Sequence, residues 1–325
     1  MLGYLLTILV PLVLCLRSNA KEAPFFRGNR DVFTNRPIIG VLSQDSSGFK
    51  NLGKHGKSYI ASSYIKYLEA AGARVVPIRN DLTKSELTKL FYSINGVLFP
   101  GGGRDLLSSK YAKAGKVLFD LAVKANDAGD VFPLWGTCLG FELLFVLASK
   151  GQHTPEKCKA ENYAIPLRFQ PDSRKSRMFR YIPENILKDM RTRNMTLNMH
   201  KSCIRMTTFN KTKSLNTFFR VLTTNRDIDQ DVDFVSTAEA YKYPFYGSQW
   251  HPEKNQFEWT HHEDIHHSYQ AVRAAQALAD FFVNQARMSR HHFKDPLEEG
   301  RSLIFEYRPR YCYEEITNFD ECYFF

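Results

Sequence analysis

Several sequence features that would point to a function directly are missing. Gly101–Gly103 is not followed by Lys-Ser/Thr, so no phosphate-cradling P-loop is expected. His261, His262, His266 and His267 lack a third ligand at a recognised spacing. They read as the solvated start of a helix, and neither a metal nor another cofactor is expected. Basic runs such as Arg174–Arg180 carry no nucleic-acid motif. The apolar run over residues 2–15 (LGYLLTILVPLVLC) is too short to span a bilayer comfortably. Internal repeats and flexible linkers are also absent, which favours one domain over two.

The composition is that of a globular protein. The chain has 325 residues, 43% hydrophobic, 24% charged and 14% aromatic, which excludes wholesale disorder and collagen-like repeats. Forty-four Lys+Arg against 34 Asp+Glu give a formal charge of +10. That excess favours anionic partners and says nothing about fold.

The apolar run ends in Leu16-Arg17-Ser18-Asn19-Ala20, with the small-x-small spacing of a cleavage site. Residues 1–20 therefore read as a signal peptide, leaving 21–325 as the mature chain without a membrane span. Asn194-Met195-Thr196 and Asn210-Lys211-Thr212 are glycosylation acceptors, in keeping with secretory transit. Cys138, Cys158, Cys203, Cys312 and Cys322 remain after cleavage. An odd number in an oxidising compartment leaves at least one thiol free or paired between chains. Cys312 and Cys322 are spaced to close a small C-terminal loop. Cys158 and Cys203 then pair or stay free, and four cysteines allow three connectivities.

Hydrophobic patterning gives alternating strands and helices. Strands are predicted at Arg36–Ser43, Ala73–Ile78, Asn95–Pro100 and Val131–Thr137. Helices are predicted at Tyr59–Ala71, Thr83–Ser93, Ser109–Ala128 and Leu139–Ser149. Short strands at Ala164–Phe169 and Phe218–Thr224 break the less regular Lys150–Gln230 region. Asp233–Ala238 and Phe245–Trp250 are two further strands, and His262–Ser289 reads as a long helix. The aromatic tail after Arg301 is strand-like and expected to pack back on the body. This alternation implies an α/β fold, doubly wound, with a mostly parallel central sheet and helices on both faces.

The most informative segment is Phe132–Glu142 (FPLWGTCLGFE). An apolar strand meets Cys138 and becomes a helix with no intervening loop, in the pattern G-x-C-x-G. This is a nucleophile elbow with sulfur in place of hydroxyl. So tight a turn strains the nucleophile's backbone and requires neighbours without side chains. The helix N-terminus favours thiolate, and the Leu139 N–H is placed to receive an oxyanion.

A second constellation lies far downstream, in Gly247–Glu253 (GSQWHPE). His251 follows an apolar strand and so sits at a strand end. Pro252 stiffens the exit, and Glu253 can fold back to orient the imidazole. Cysteine, histidine and glutamate in this arrangement predict nucleophilic catalysis.

Together these residues resemble the class I glutamine amidotransferase superfamily, and within it the γ-glutamyl hydrolase branch. Supporting stretches are Arg36–Leu42 (RPIIGVL), Tyr64–Ile78 (YIKYLEAAGARVVPI), Asn95–Gly102 (NGVLFPGG), Trp135–Glu142 (WGTCLGFE) and Tyr241–Lys254 (YKYPFYGSQWHPEK). The resemblance implies Cys138 as nucleophile, His251 as general acid/base and Glu253 as its orienting partner. It places the oxyanion loop at Gly102 and Gly103, with Leu139, and a substrate-binding histidine at His200. Lys201 and Arg104 are candidate ligands for substrate carboxylates. The implied substrate is a folyl or antifolyl poly-γ-glutamate, a polyanion that the basic excess would steer. A homodimer in the lysosome or outside the cell is likewise implied. Competing readings are an ammonia-supplying glutaminase and a relative that binds without reacting. A papain-type protease is disfavoured, because its cysteine lies in a different local signature.

Overall fold

The computed structural model describes residues 32–47, 52–152, 155–313, 315 and 318–325. The leader expected over residues 1–20 lies outside them. At the centre is an eight-stranded sheet in the order Arg74–Ile78, Ile38–Leu42, Gly96–Phe99, Leu134–Thr137, Phe245–Ser248, Asp233–Ala240, Phe219–Arg226 and Arg168–Phe169. The first five strands run parallel and the last three pair antiparallel. This is the mostly parallel α/β sheet that the alternating pattern predicts.

Side-chain alternation divides the sheet's two faces between two cores. Ile39, Val41, Leu98 and Trp135 pack on one side with helices Ser62–Ala70 and Tyr269–Ala286. Ile38, Leu42, Val97, Phe99 and Leu134 pack on the other with helices Lys84–Phe91, Lys110–Asp127 and Leu139–Ala148. Burial on both faces explains why these strands read as continuous apolar runs. The helices begin where their capping residues stand. Thr83 forms a reciprocal capping box with Glu86, and the Ser109 hydroxyl accepts from the Ala112 N–H.

Three stretches depart from the sequence-based expectation. Ser58–Ala61 is a strand, and the helix expected from Tyr59 begins only at Ser62. The reason is a remote partner: Glu321–Phe324 pairs antiparallel with Ser58–Ala61 and with Arg310–Tyr311. The tail thus packs back on the body, as expected. The long helix starts at Tyr269 and ends at Ala286, with the Ser268 hydroxyl capping the Ala271 N–H. His262 and His266 precede it and share no helical face. The expected strand Ala164–Phe169 is interrupted at Pro166, which has no N–H to give a ladder. Its first part extends an antiparallel pair, Glu156–Ile165 with Thr196–Cys203.

A disulfide joins Cys158 to Cys203 across that pair, spanning 45 positions of chain. Cys312 and Cys322, expected to close a C-terminal loop, are buried in the tail with their sulfurs 3.1 Å apart and unbridged, so they are free thiols like Cys138. Replacing Cys158 and Cys203 together by serine should lower stability by about 2–4 kcal/mol, since the bridge restricts the unfolded chain. Urea unfolding under non-reducing conditions reads the loss. An unchanged midpoint would mean that the bridge does not form.

Candidate active site

Strand order assembles the site. Gly96–Phe99, Leu134–Thr137 and Phe245–Ser248 are neighbours, with Phe99 opposite Gly136 and Ser248 opposite Thr137. Their carboxyl ends deliver Gly101–Gly103, Cys138 and His251 to one edge of the sheet, where ligands bind in such folds. Residues far apart in sequence therefore become neighbours without any long loop.

The elbow has the expected strain. Cys138 has φ 52° and ψ −111°, outside the regions most side chains adopt. Its N–H is anchored on the Ser248 carbonyl at 2.9 Å, and its carbonyl starts the helix by accepting from Glu142 N at 2.9 Å. Close approach explains the flanking glycines. A Cβ on Gly140 would overlap the Phe99 carbonyl, and one on Gly136 would overlap Gly140. Gly101 lies against both partners, its Cβ position 2.8 Å from His251 Cε1 and 3.2 Å from Cys138 Cβ.

His251, Glu253 and Cys138 are each at most 5% exposed. His251 Nδ1 meets Glu253 Oε1 at 2.6 Å, and the imidazole also shares a side-chain hydrogen bond with Cys138. Burial alone would depress the imidazole. The Glu253 carboxylate and the Cys138 sulfur outweigh it and push the His251 pKa up to about 10. The arrangement thus favours the imidazolium form of His251.

In front of this pair is a cleft of about 400 Å³. Gly102, Gly103, Arg104, Cys138 and Leu139 are among its lining residues. His200 and Lys201 line it too, so seven of the sequence-predicted positions share one cleft. His251 and Glu253 are buried and do not line the cleft. His200 is pushed down to about 3 by burial and the neighbouring His251, so it is a neutral imidazole near neutral pH. Its Nε2 is 3.0 Å from Asn198 Oδ1. Lys201 pairs with Glu161 at 3.2 Å on the exposed rim, and Arg104 donates to the Asp45 carbonyl at 2.8 Å. Asn194 and Asn210 are exposed.

Sequence reasoning missed three residues here. Glu142 follows Cys138 by one helical turn and lines the cleft. Burial pushes its pKa up to about 8, although Gln249 and Ser202 donate to it. A lone carboxyl in the apolar helix LGFELLFVLA was an available signal. Gln44 donates to the Gly101 carbonyl at 3.3 Å, and the Tyr64 hydroxyl accepts from the Gly101 N–H at 2.9 Å. Nothing in their local spacing distinguishes these two from core residues.

A family model described as Peptidase C26 matches residues 37–253. The chain belongs to the peptidase C26 family. It is therefore a hydrolase, and its free, buried Cys138 fits a cysteine peptidase family. Gamma-glutamyl hydrolase of Mus musculus is 44% identical over 324 residues, covering 100% of this chain and 99% of that protein. The Homo sapiens gamma-glutamyl hydrolase is 46% identical over 290 residues, covering 89% and 90%. Gamma-glutamyl hydrolase B of Dictyostelium discoideum is 38% identical over 296 residues, covering 91% and 84%. Among solved structures, the glutaminase domain of Trypanosoma brucei CTPS with bound acivicin aligns with TM-score 0.50 and 12% identity. That alignment covers 79% of this chain and 98% of the other, and shows a class I glutamine amidotransferase-like fold.

Placing alanine at Gly140 of this C26 peptidase should cost about 1–3 kcal/mol, because the Phe99 backbone must move. Alanine at Gly103, whose Cβ position has nothing within 4 Å, should leave stability unchanged. Urea unfolding of both variants checks the contrast. Equal midpoints would remove the close-approach account of the elbow.

Proposed function

We propose that this C26 peptidase cleaves the γ-glutamyl isopeptide bonds of folyl poly-γ-glutamates through a thioester on Cys138. The observation that carries the reading is the His251 imidazole, hydrogen-bonded to Cys138 on one side and held by Glu253 at 2.6 Å on the other. The Cys138 thiolate attacks the γ-carbonyl carbon, and the carbonyl electrons move onto oxygen. The N–H of Leu139 and those of the Gly102–Gly103 loop are the oxyanion donors. Collapse of the tetrahedral intermediate breaks the C–N bond, and the His251 imidazolium passes its proton to the leaving amine. The neutral imidazole then takes a proton from water as the water attacks the thioester. The second collapse releases a γ-carboxylate and regenerates thiolate and imidazolium.

Substrate choice follows from charge. A poly-γ-glutamate carries an α-carboxylate on each residue, and Arg104 and Lys201 stand at the cleft wall and rim. His200, kept neutral, can hydrogen-bond the substrate without competing for its proton. Passage through the secretory pathway to the lysosome or the exterior is supported by the Cys158–Cys203 disulfide and the exposed Asn194 and Asn210. A thiolate–imidazolium pair also suits an acidic compartment, because each charge stabilises the other.

The test is to incubate the purified protein with a pteroyl poly-γ-glutamate and follow the shortened products. Cys138→Ala should lower the rate by at least about 10³-fold while leaving the fold intact. Free glutamine should be a poor substrate. Full activity in the variant would remove Cys138 from the reaction, and rapid glutamine turnover would favour an ammonia-supplying enzyme.

A further inference from the structure

Tyr64 takes no part in the proton transfers above, yet its hydroxyl reaches both halves of the site. It stands on helix Ser62–Ala70 and is 1% exposed. The Gly101 N–H donates to its oxygen at 2.9 Å, and His251 Nδ1 lies 3.4 Å away. The Glu253 carboxylate is close enough to act on it, and its Oε2 is buried with no other partner among the described residues. Burial, followed by the charges of Glu253 and Cys138, raises the phenol well above its ordinary range, so the oxygen keeps its hydrogen.

The position of that hydrogen can be deduced. One lone pair of the phenol oxygen is occupied by the Gly101 N–H. His251 Nδ1 directs its own hydrogen to Glu253 at 2.6 Å and has no lone pair to offer. The phenol O–H is left with the Glu253 carboxylate as its acceptor. Gly101 is in turn held on both sides, its N–H by Tyr64 and its carbonyl by Gln44.

We infer that Tyr64 is a positioning residue, donating to the carboxylate that orients His251 while accepting from the first N–H of the glycine loop. It fixes the distance between the acid/base group and the oxyanion donors, which come from different strands. It rests on the Cys138 mechanism proposed above.

The experiment compares Tyr64→Phe with Tyr67→Phe and Cys138→Ala on a pteroyl poly-γ-glutamate. Tyr67 is a good control because it is 1% exposed on the same helix and its hydroxyl has no hydrogen-bond partner among the described residues. Tyr64→Phe should lower kcat by roughly 10–100-fold, the effect usual for a residue that orients an active group. KM should change little. The limb of the kcat/KM profile set by His251 should move, because Glu253 is no longer held in place against the imidazole. Tyr67→Phe should leave kcat and the profile in place. Wild-type kcat and an unmoved limb in Tyr64→Phe, with Cys138→Ala inactive, would overturn the role of Tyr64 alone. A loss shared equally by Tyr67→Phe, with no limb shift, would reduce Tyr64 to a packing residue. Activity retained in Cys138→Ala would instead overturn the mechanism beneath it.

Discussion

The backbone of Cys138, turned to a positive φ between a strand and a helix, is the constraint on which the rest depends. Strain of this kind persists only when the surroundings over-determine it. Here they do. The Ser248 carbonyl holds the Cys138 N–H, the helix takes its carbonyl, and the Phe99 backbone lies where a side chain on Gly140 would be. The same neighbours that force the turn belong to the strands that carry the glycine loop and His251. Geometry at the sulfur and assembly of the site are therefore one consequence of sheet order.

Electrostatics adds a division of labour among buried titratable groups. His251 is pushed toward its charged form by Glu253 and Cys138, whereas His200 is pushed toward its neutral form by burial and by His251. Two imidazoles near one sulfur thus receive opposite protonation states without any metal being invoked. Glu142, kept largely protonated near neutrality by burial, adds a neutral carboxyl to the cleft. Arg104 and Lys201 add fixed positive charge to the lining of the same cleft.

Much of this was legible in the primary structure because the chemistry sits where patterning is strongest. The strand Leu134–Thr137 and helix Leu139–Ala148 lie within the predicted segments, since an uninterrupted apolar strand with glycines around a cysteine permits few alternatives. The placement of His251 followed from an apolar strand ending in Gln-Trp-His-Pro. Long-range pairing was not legible. Ser58–Ala61 reads locally as the first turn of a helix, and only the distant strand Glu321–Phe324 makes it β. The contacts of Tyr64 with Gly101 and His251 depend on the same kind of tertiary packing, and its spacing matches that of any core aromatic. The pairing of Cys158 with Cys203 was one of three possibilities until Glu156–Ile165 and Thr196–Cys203 were seen to lie side by side.

The most direct measurement is a ¹⁵N NMR titration of the His251 imidazole in the wild-type protein and in Cys138→Ala. With sulfur and carboxylate both present, the ring should stay protonated well above neutral pH, with a midpoint near the value of about 10 set by its neighbours. Removing the sulfur should move that midpoint down. A ring that titrates near the ordinary histidine value of about 6.5 in both proteins would contradict the coupling of Cys138 to His251.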